Sequence, residues 1–169
     1  MPQTALIARI AEYGDCDAIA DIYNQGIDDR IATFETRHRT AEDIETWLDS
    51  RYPVVVVTMD DEVIAFAATS NYRPRECYDG VADFSVYVRR DIRGTGAGKI
   101  AMANLIRAAE DAGFWKLVSR VFPENKASLG LLASMGFREV GIYRKHARLD
   151  GKWQDVVIVE KLLGPAMEE

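Results

Sequence analysis

The chain has 169 residues, 48% hydrophobic and 28% charged, which is enough for one core that buries well over half of the unfolded surface and leaves no low-complexity tail. A formal net charge of -6 excludes broad binding to phosphate backbones, so nucleic acid is not an expected partner, although the cluster Arg89, Arg90 and Arg93 suits one small anion. Two cysteines, Cys16 and Cys77, are too few for a secreted disulfide scaffold, and neither a basic-then-apolar leader in Met1 to Glu12 nor a run of roughly 18 apolar residues is present, so we expect a cytoplasmic protein without a membrane span.

Leu6 to Glu12 alternates apolar and polar residues as a half-buried strand does, and Asp15 is placed to cap a helix carrying Ile19, Ile22, Tyr23 and Gly26 at helical spacing. Asp28 to Arg39 has no sustained period and reads as a loop. Thr40 and Asp43 form a capping-box pattern that opens a second helix through Trp47 and Leu48, and Pro53 closes it. Val54 to Val57 is a β-branched run suited to a strand buried on both faces, Asp60 and Asp61 supply a turn, and Val63 to Ser70 is the hairpin partner. After a loop over Asn71 to Gly80, Val81 to Val88 is another strand.

Arg89 to Thr95 leads into a long helix with Met102, Leu105, Ile106 and Ala109 on one face, stopped at Gly113. Leu117 to Val121 is a strand, Ser128, Leu131, Leu132 and Met135 mark a helix ended by Gly136, and Asp150-Gly151 joins Val140 to Leu149 and Lys152 to Leu162 in a type I′ hairpin. The order predicts a mixed α/β layer around one sheet. With no repeat and no composition break, one domain over residues 1–169 is expected, its core over about residues 6–163.

The segment Arg93-Gly94-Thr95-Gly96-Ala97-Gly98-Lys99 lies between a strand and the long amphipathic helix. Glycines let main-chain N–H groups approach a diphosphate, and a helix N-terminus adds unpaired donors and partial positive charge. A Walker A loop would need glycine at Arg93 and Ser or Thr at Ile100. Gly96-Ala97-Gly98 with Ala101 meets a relaxed dinucleotide pattern, but the following strand ends at Arg120 rather than at an acid. The third pattern, Arg-x-x-Gly-x-Gly, is met by Arg93, Gly96 and Gly98. The same glycines also suit a bare strand-to-helix turn, which needs fewer of them.

In this third pattern the sequence resembles the GNAT acetyltransferase superfamily, over nearly the whole chain. Phe84-Ser85-Val86-Tyr87-Val88 resembles its splayed strand, and Asn125, Ser128 and Met135-Gly136-Phe137 resemble its Asn-x-x-Ser helix with a terminal Gly-Phe. The resemblance implies a GNAT (acyl-CoA N-acyltransferase) fold: a mixed, mostly antiparallel sheet of about seven strands flanked by about four helices. It also implies an acetyl-CoA-dependent N-acetyltransferase with no metal. Ser85, Val86, Tyr87, Val88, Arg93, Gly94, Thr95, Gly96, Ala97, Gly98, Lys99, Asn125 and Ser128 are the implied acetyl-CoA site. Read alone, Asn125 is an N-cap.

Phe34-Glu35-Thr36, Tyr72-Arg73-Pro74, Asp83 ahead of Ser85-Val86-Tyr87-Val88, and Asp150 to Asp155 resemble the phosphinothricin, methionine sulfoximine and arsinothricin N-acetyltransferases, with the arsinothricin branch nearest. That subgroup acetylates the α-amino group of glutamate-like amino acids and thereby detoxifies them; a homodimer is implied as well. An amine attacks a thioester only after losing a proton. Asp83, one methylene shorter than the glutamate common there, is the expected base, directly or through a water; its bland reading is a solvated strand-end carboxylate. Arg73 and Arg75 are the expected partners of the substrate's acidic groups, with Tyr78 as a hydrogen-bonding group and Phe34 as a wall. Main-chain N–H near Val86 is the expected oxyanion donor. Leu132 stands where the family commonly has Tyr or His, and His38 and His146 are expected at the surface. Acetylation of another amine, such as a polyamine, an antibiotic or a protein N-terminus, and a non-catalytic acyl-CoA sensor are the alternatives.

Overall fold

A computed structural model of the chain describes residues 5–168. Its elements follow the predicted order. Strand β1 (Leu6–Ile10) leads through a 3₁₀ turn into helix α1 (Cys16–Asp29), then α2 (Ala41–Leu48), β2 (Val54–Met59), β3 (Glu62–Asn71) and β4 (Val81–Val88). Helix α3 (Ala97–Asp111), β5 (Lys116–Val121), α4 (Lys126–Ser134), β6 (Arg138–Leu149) and β7 (Lys152–Leu162) complete it. The seven strands form one sheet in the order β1-β2-β3-β4-β5-β7-β6. Every pairing is antiparallel except β4 with β5.

Local chemistry accounts for most boundaries. Thr40 caps α2 by accepting from the Asp43 N–H while the Asp43 carboxylate accepts from the Thr40 N–H, which satisfies two donors that a helix start leaves orphaned. Gly113 and Gly136 take φ of +90° and +87° past the ends of α3 and α4. Asp60-Asp61 and Asp150-Gly151 have both central φ positive, the geometry whose twist matches a tight hairpin. Asp15 departs from expectation. Its side chain does not cap α1 but turns back, accepting from the Glu12 N–H at 2.8 Å and from both Arg9 nitrogens at 2.7 and 2.9 Å. The competing cation on β1 takes the carboxylate, and β1 ends at Ile10, before the predicted Glu12.

The sheet divides two cores. On one face α3 and α4 bring Met102, Leu105 and Leu132 against Val55, Val57, Ala67 and Phe84. On the other, α1 and α2 bring Ile19, Tyr23 and Ile44 against Val54, Val56, Phe66 and Tyr87. The valine run of β2 therefore alternates between two hydrophobic layers, as its lack of polar residues predicts. Burying one such side chain contributes about 1.5–3 kcal/mol. A third, smaller cluster joins Phe122, Leu149 and Val156 to Phe34 from the loop after α1, and this loop roofs the site. No helix among the described residues is long and apolar enough to cross a membrane.

Candidate active site

Strands β4 and β5 pair over only three positions, Val81–Asp83 with Lys116–Val118. Beyond Asp83 the two strands part, and the last link is the Ser119 hydroxyl donating to the Phe84 carbonyl at 2.9 Å. Main-chain groups of successive strand residues point alternately to either neighbour. The Arg89 N–H donates to Ile64 of β3 and the Phe84 carbonyl faces β5. The alternation therefore turns Ser85 and Tyr87 toward β3 and leaves the N–H and C=O of Val86 facing the gap. Val86, Val121, Asn125, Ser128 and Leu132 line this slot.

The glycine-rich turn lies between the end of β4 and the start of α3. Gly94 and Gly96 have φ of +82° and +91°, a conformation that costs an L side chain about 1–2 kcal/mol, and Gly96 stands at the N-cap of α3 with no side chain closing the helix end. Main-chain N–H groups from Gly94 to Lys99 make no bond to a main-chain carbonyl among the described residues. Gly98 sits under Leu131 and Val88, where an added Cβ would lie 3.3 and 3.4 Å from them. A diphosphate fits such a cradle of open donors at a helix start. The Thr95 hydroxyl donates to the Ile92 carbonyl and shapes the turn.

The flanking arginines do not form the free anion patch expected from their clustering. Arg90 and Arg93 both reach Asp29, at 2.7 Å each, and Arg89 pairs with Asp91 and Glu62. Arg93 also donates to the Val88 carbonyl at 3.3 Å. Paired in this way, the arginines brace the turn and leave its main-chain N–H groups as the open donors there. Burial is the largest single influence on the Asp29 carboxyl and raises it, but the two guanidinium groups together outweigh it and hold the group below the usual range.

Asp83 opens onto a cleft of about 590 Å³ beside the slot. Phe34, Trp47, Tyr52, Ser85, Ser119 and Arg120 are among the residues that line it. Here Asp83 is not a solvated strand end: its side chain is only 15% exposed and its Oδ1 is buried without a hydrogen-bond partner. Burial pushes the carboxyl above the usual aspartate range, while Arg120 and, more remotely, Arg73 pull it down. The Arg120 Nη2 donates to Asp83 Oδ2 at 3.3 Å. Arg120 was not among the residues singled out from the sequence. Only the register of β5 beside β4 brings it across from an acid 37 positions away.

The other expected residues divide. Phe34 lines the cleft and meets Phe122 edge-on at 4.9 Å. Asn125 caps α4 by accepting from the Ser128 N–H, and its amide donates to the Ile31 carbonyl, tying the roof loop to the slot. The Tyr87 side chain turns away, stacked on Phe66 in the α1–α2 core. Arg73 and Arg75 lie exposed on the loop after β3, with Arg73 over the Tyr72 ring and Tyr78 edge-on to Tyr72. None of Arg73, Arg75 and Tyr78 lines the cleft. His38 pairs with Asp28 at an exposed position and His146 lies against Tyr143; both are outside the cleft. Leu132 is fully buried and supplies no proton.

The comparisons with known proteins agree with this geometry. Residues 19–137 match the Acetyltransferase (GNAT) family. The chain is 31% identical to the phosphinothricin N-acetyltransferase of Streptomyces coelicolor, over 96% of this chain and 100% of that one. It is 30% identical to the L-methionine sulfoximine/L-methionine sulfone acetyltransferase of Pseudomonas aeruginosa, over 93% and 94%. The YncA protein of Salmonella typhimurium, solved with its cofactor acetyl-CoA, superposes with a TM-score of 0.90 at 27% identity, over 95% of each chain. The chain belongs to the GNAT family and is an acetyl-CoA-dependent N-acetyltransferase related to the phosphinothricin and methionine sulfoximine acetyltransferases.

Proposed function

We propose that the protein acetylates the α-amino group of a glutamate-analogue amino acid of the phosphinothricin, methionine sulfoximine or arsinothricin type, and so detoxifies it. The observation that carries this reading is Asp83, a largely buried carboxylate with one unpartnered oxygen, on a cleft that adjoins the β4–β5 gap. A carboxyl raised above its ordinary range by burial is a stronger base toward an ammonium group than a solvated one. Asp83 takes the proton from the substrate ammonium, directly or through a water. The freed lone pair attacks the thioester carbonyl carbon, the C–S bond breaks with coenzyme A leaving as thiolate, and the nitrogen sheds its second proton to water or to that thiolate to leave the neutral amide.

The Val86 N–H, turned into the gap, is the donor for the oxyanion that develops on the carbonyl. Gly94 to Lys99 hold the diphosphate, and Asn125 and Ser128 flank the slot that takes the pantetheine arm. Since Leu132 is apolar, the thiolate departs as such or takes its proton from water or from that nitrogen. Phe34 packs on the substrate's methylene chain, and Arg73, Arg75 and Tyr78 receive its distal acidic group when their loop folds over the cleft. The enzyme works as a cytoplasmic homodimer; both cysteines are free thiols, Cys16 buried and Cys77 exposed.

A thiol-release assay with acetyl-CoA and L-phosphinothricin, L-methionine sulfoximine or arsinothricin tests this reading. Turnover with at least one is the expected result. Turnover with none, while a polyamine or a peptide N-terminus is acetylated, overturns it.

A further inference from the structure

Arg120 projects from β5 into the cleft, 43% exposed, and Asp83 is its one ion-pair partner among the described residues. A guanidinium has five N–H donors, and this pairing uses one of them at a long 3.3 Å. Across from it, Asp83 Oδ1 is buried and accepts nothing. The pair thus leaves acceptor capacity on Asp83 and most of the donor capacity on Arg120 unused, and both residues line the same cleft.

An α-amino acid carries its ammonium and its carboxylate on the same carbon. Those two charges are spaced like the two halves of a neighbouring ion pair, with opposite polarity. Set against Asp83 and Arg120, the ammonium meets the carboxylate that must deprotonate it and the carboxylate meets the guanidinium. Each charge then finds an opposite partner in a partly desolvated site, where charge-assisted bonds are strongest. A polyamine would bring a second cation toward Arg120. A peptide N-terminus would bring a neutral amide and leave the guanidinium's added donors without an anion.

We propose that the Asp83–Arg120 pair reads the zwitterionic head of the substrate, with Arg120 receiving the α-carboxylate, and so restricts the enzyme to free α-amino acids. The inference rests on the amino-acid substrate proposed above and adds a residue and a selection rule to it. It also divides the labour among the arginines. Arg120 takes the head group beside the reacting nitrogen, and Arg73 and Arg75 are left for the distal acid.

The test compares L-methionine sulfoximine with its α-carboxamide, and L-phosphinothricin with its decarboxylated amine, on the wild-type protein and on Arg120→Gln and Arg120→Lys. The wild type should prefer each acid by roughly tenfold to hundredfold in kcat/KM, through KM, the range expected for a charge-assisted bond. Arg120→Gln should collapse that preference toward unity, and Arg120→Lys should restore part of it. Coenzyme A affinity by calorimetry confirms that the variants are folded. If the wild type acetylates acids and amides equally well, the selection rule is wrong while the amino-acid reading stands. If no amino acid is acetylated, both fall. Should Arg120→Gln fail to fold, Arg120→Lys carries the test: a lowered acid-to-amide ratio supports the assignment, and an unchanged ratio in either variant overturns it.

Discussion

Asp83, the proposed base, is subject to two opposed influences, and in that role it ties the pH dependence of the enzyme to which one wins. Burial favours the neutral acid and is the larger effect; Arg120 and Arg73 favour the carboxylate. The base must be ionised to accept a proton, so kcat/KM should rise with pH along an acid limb lying above the ordinary aspartate value. Removing either cation removes part of the opposition, and the limb in Arg73→Gln should move to higher pH still, read from a kcat/KM profile. A limb at or below pH 4, roughly the unperturbed value, would show that burial does not raise Asp83, and a limb unmoved in Asp83→Glu would exclude it as the base. Asp83→Asn should lower kcat by about 10²–10⁴-fold with coenzyme A affinity unchanged. Asp15 runs the other way. Its carboxyl is held down chiefly by Arg9, against burial, so its contribution to stability is fully present above the ordinary aspartate pKa and is lost as pH falls through the lowered value. Asp15→Ala should cost about 1–3 kcal/mol in urea unfolding at neutral pH, and the difference from wild type should shrink in acid.

The turn before α3 is proposed to hold the diphosphate through main chain, so its test is a change of backbone freedom. Gly96→Ala, at φ +91°, should weaken coenzyme A binding by calorimetry and leave the amino-acid KM nearly unchanged; unaltered affinity would show that the cradle is not the diphosphate site. Asp29 ends α1, where a helix dipole disfavours a carboxylate, and its two arginines explain its presence there. Elements such as α2 and the β2–β3 hairpin were legible in the sequence because their signals are local: a capping box within four residues, an unbroken valine run, paired turn residues. The glycine turn was legible for the same reason. Arg120 was not, since its meaning depends on a parallel register of three residues between strands separated by a whole helix. The neutralisation of Arg90 and Arg93 was hidden likewise, because Asp29 lies on another element.

Taken whole, the sheet is shielded unevenly. β2, β3 and β4 lie between two helical layers, whereas β6 forms a free edge twelve residues long, with most of its side chains open to solvent. Ile142 is 59% exposed, Tyr143 51%, and Trp153 on the adjoining strand 53%. A long edge with unpaired main chain and apolar side chains is a template for further pairing unless it is covered. Arg138 is drawn onto Glu160 and Arg148 onto the Trp153 ring, while Glu139, Arg144 and Lys145 stand exposed beside the apolar side chains. If the homodimer proposed above forms through this hairpin, a second copy would cover these side chains. Light scattering at micromolar concentration should then report twice the chain mass. Ile142→Lys should shift the population to monomer by placing a desolvated charge in the seam, while coenzyme A affinity stays intact because the glycine turn lies on α3, far along the sheet order from β6. A monomeric wild type, or a dimer indifferent to Ile142→Lys and to Trp153→Glu alike, would rule this face out as the interface.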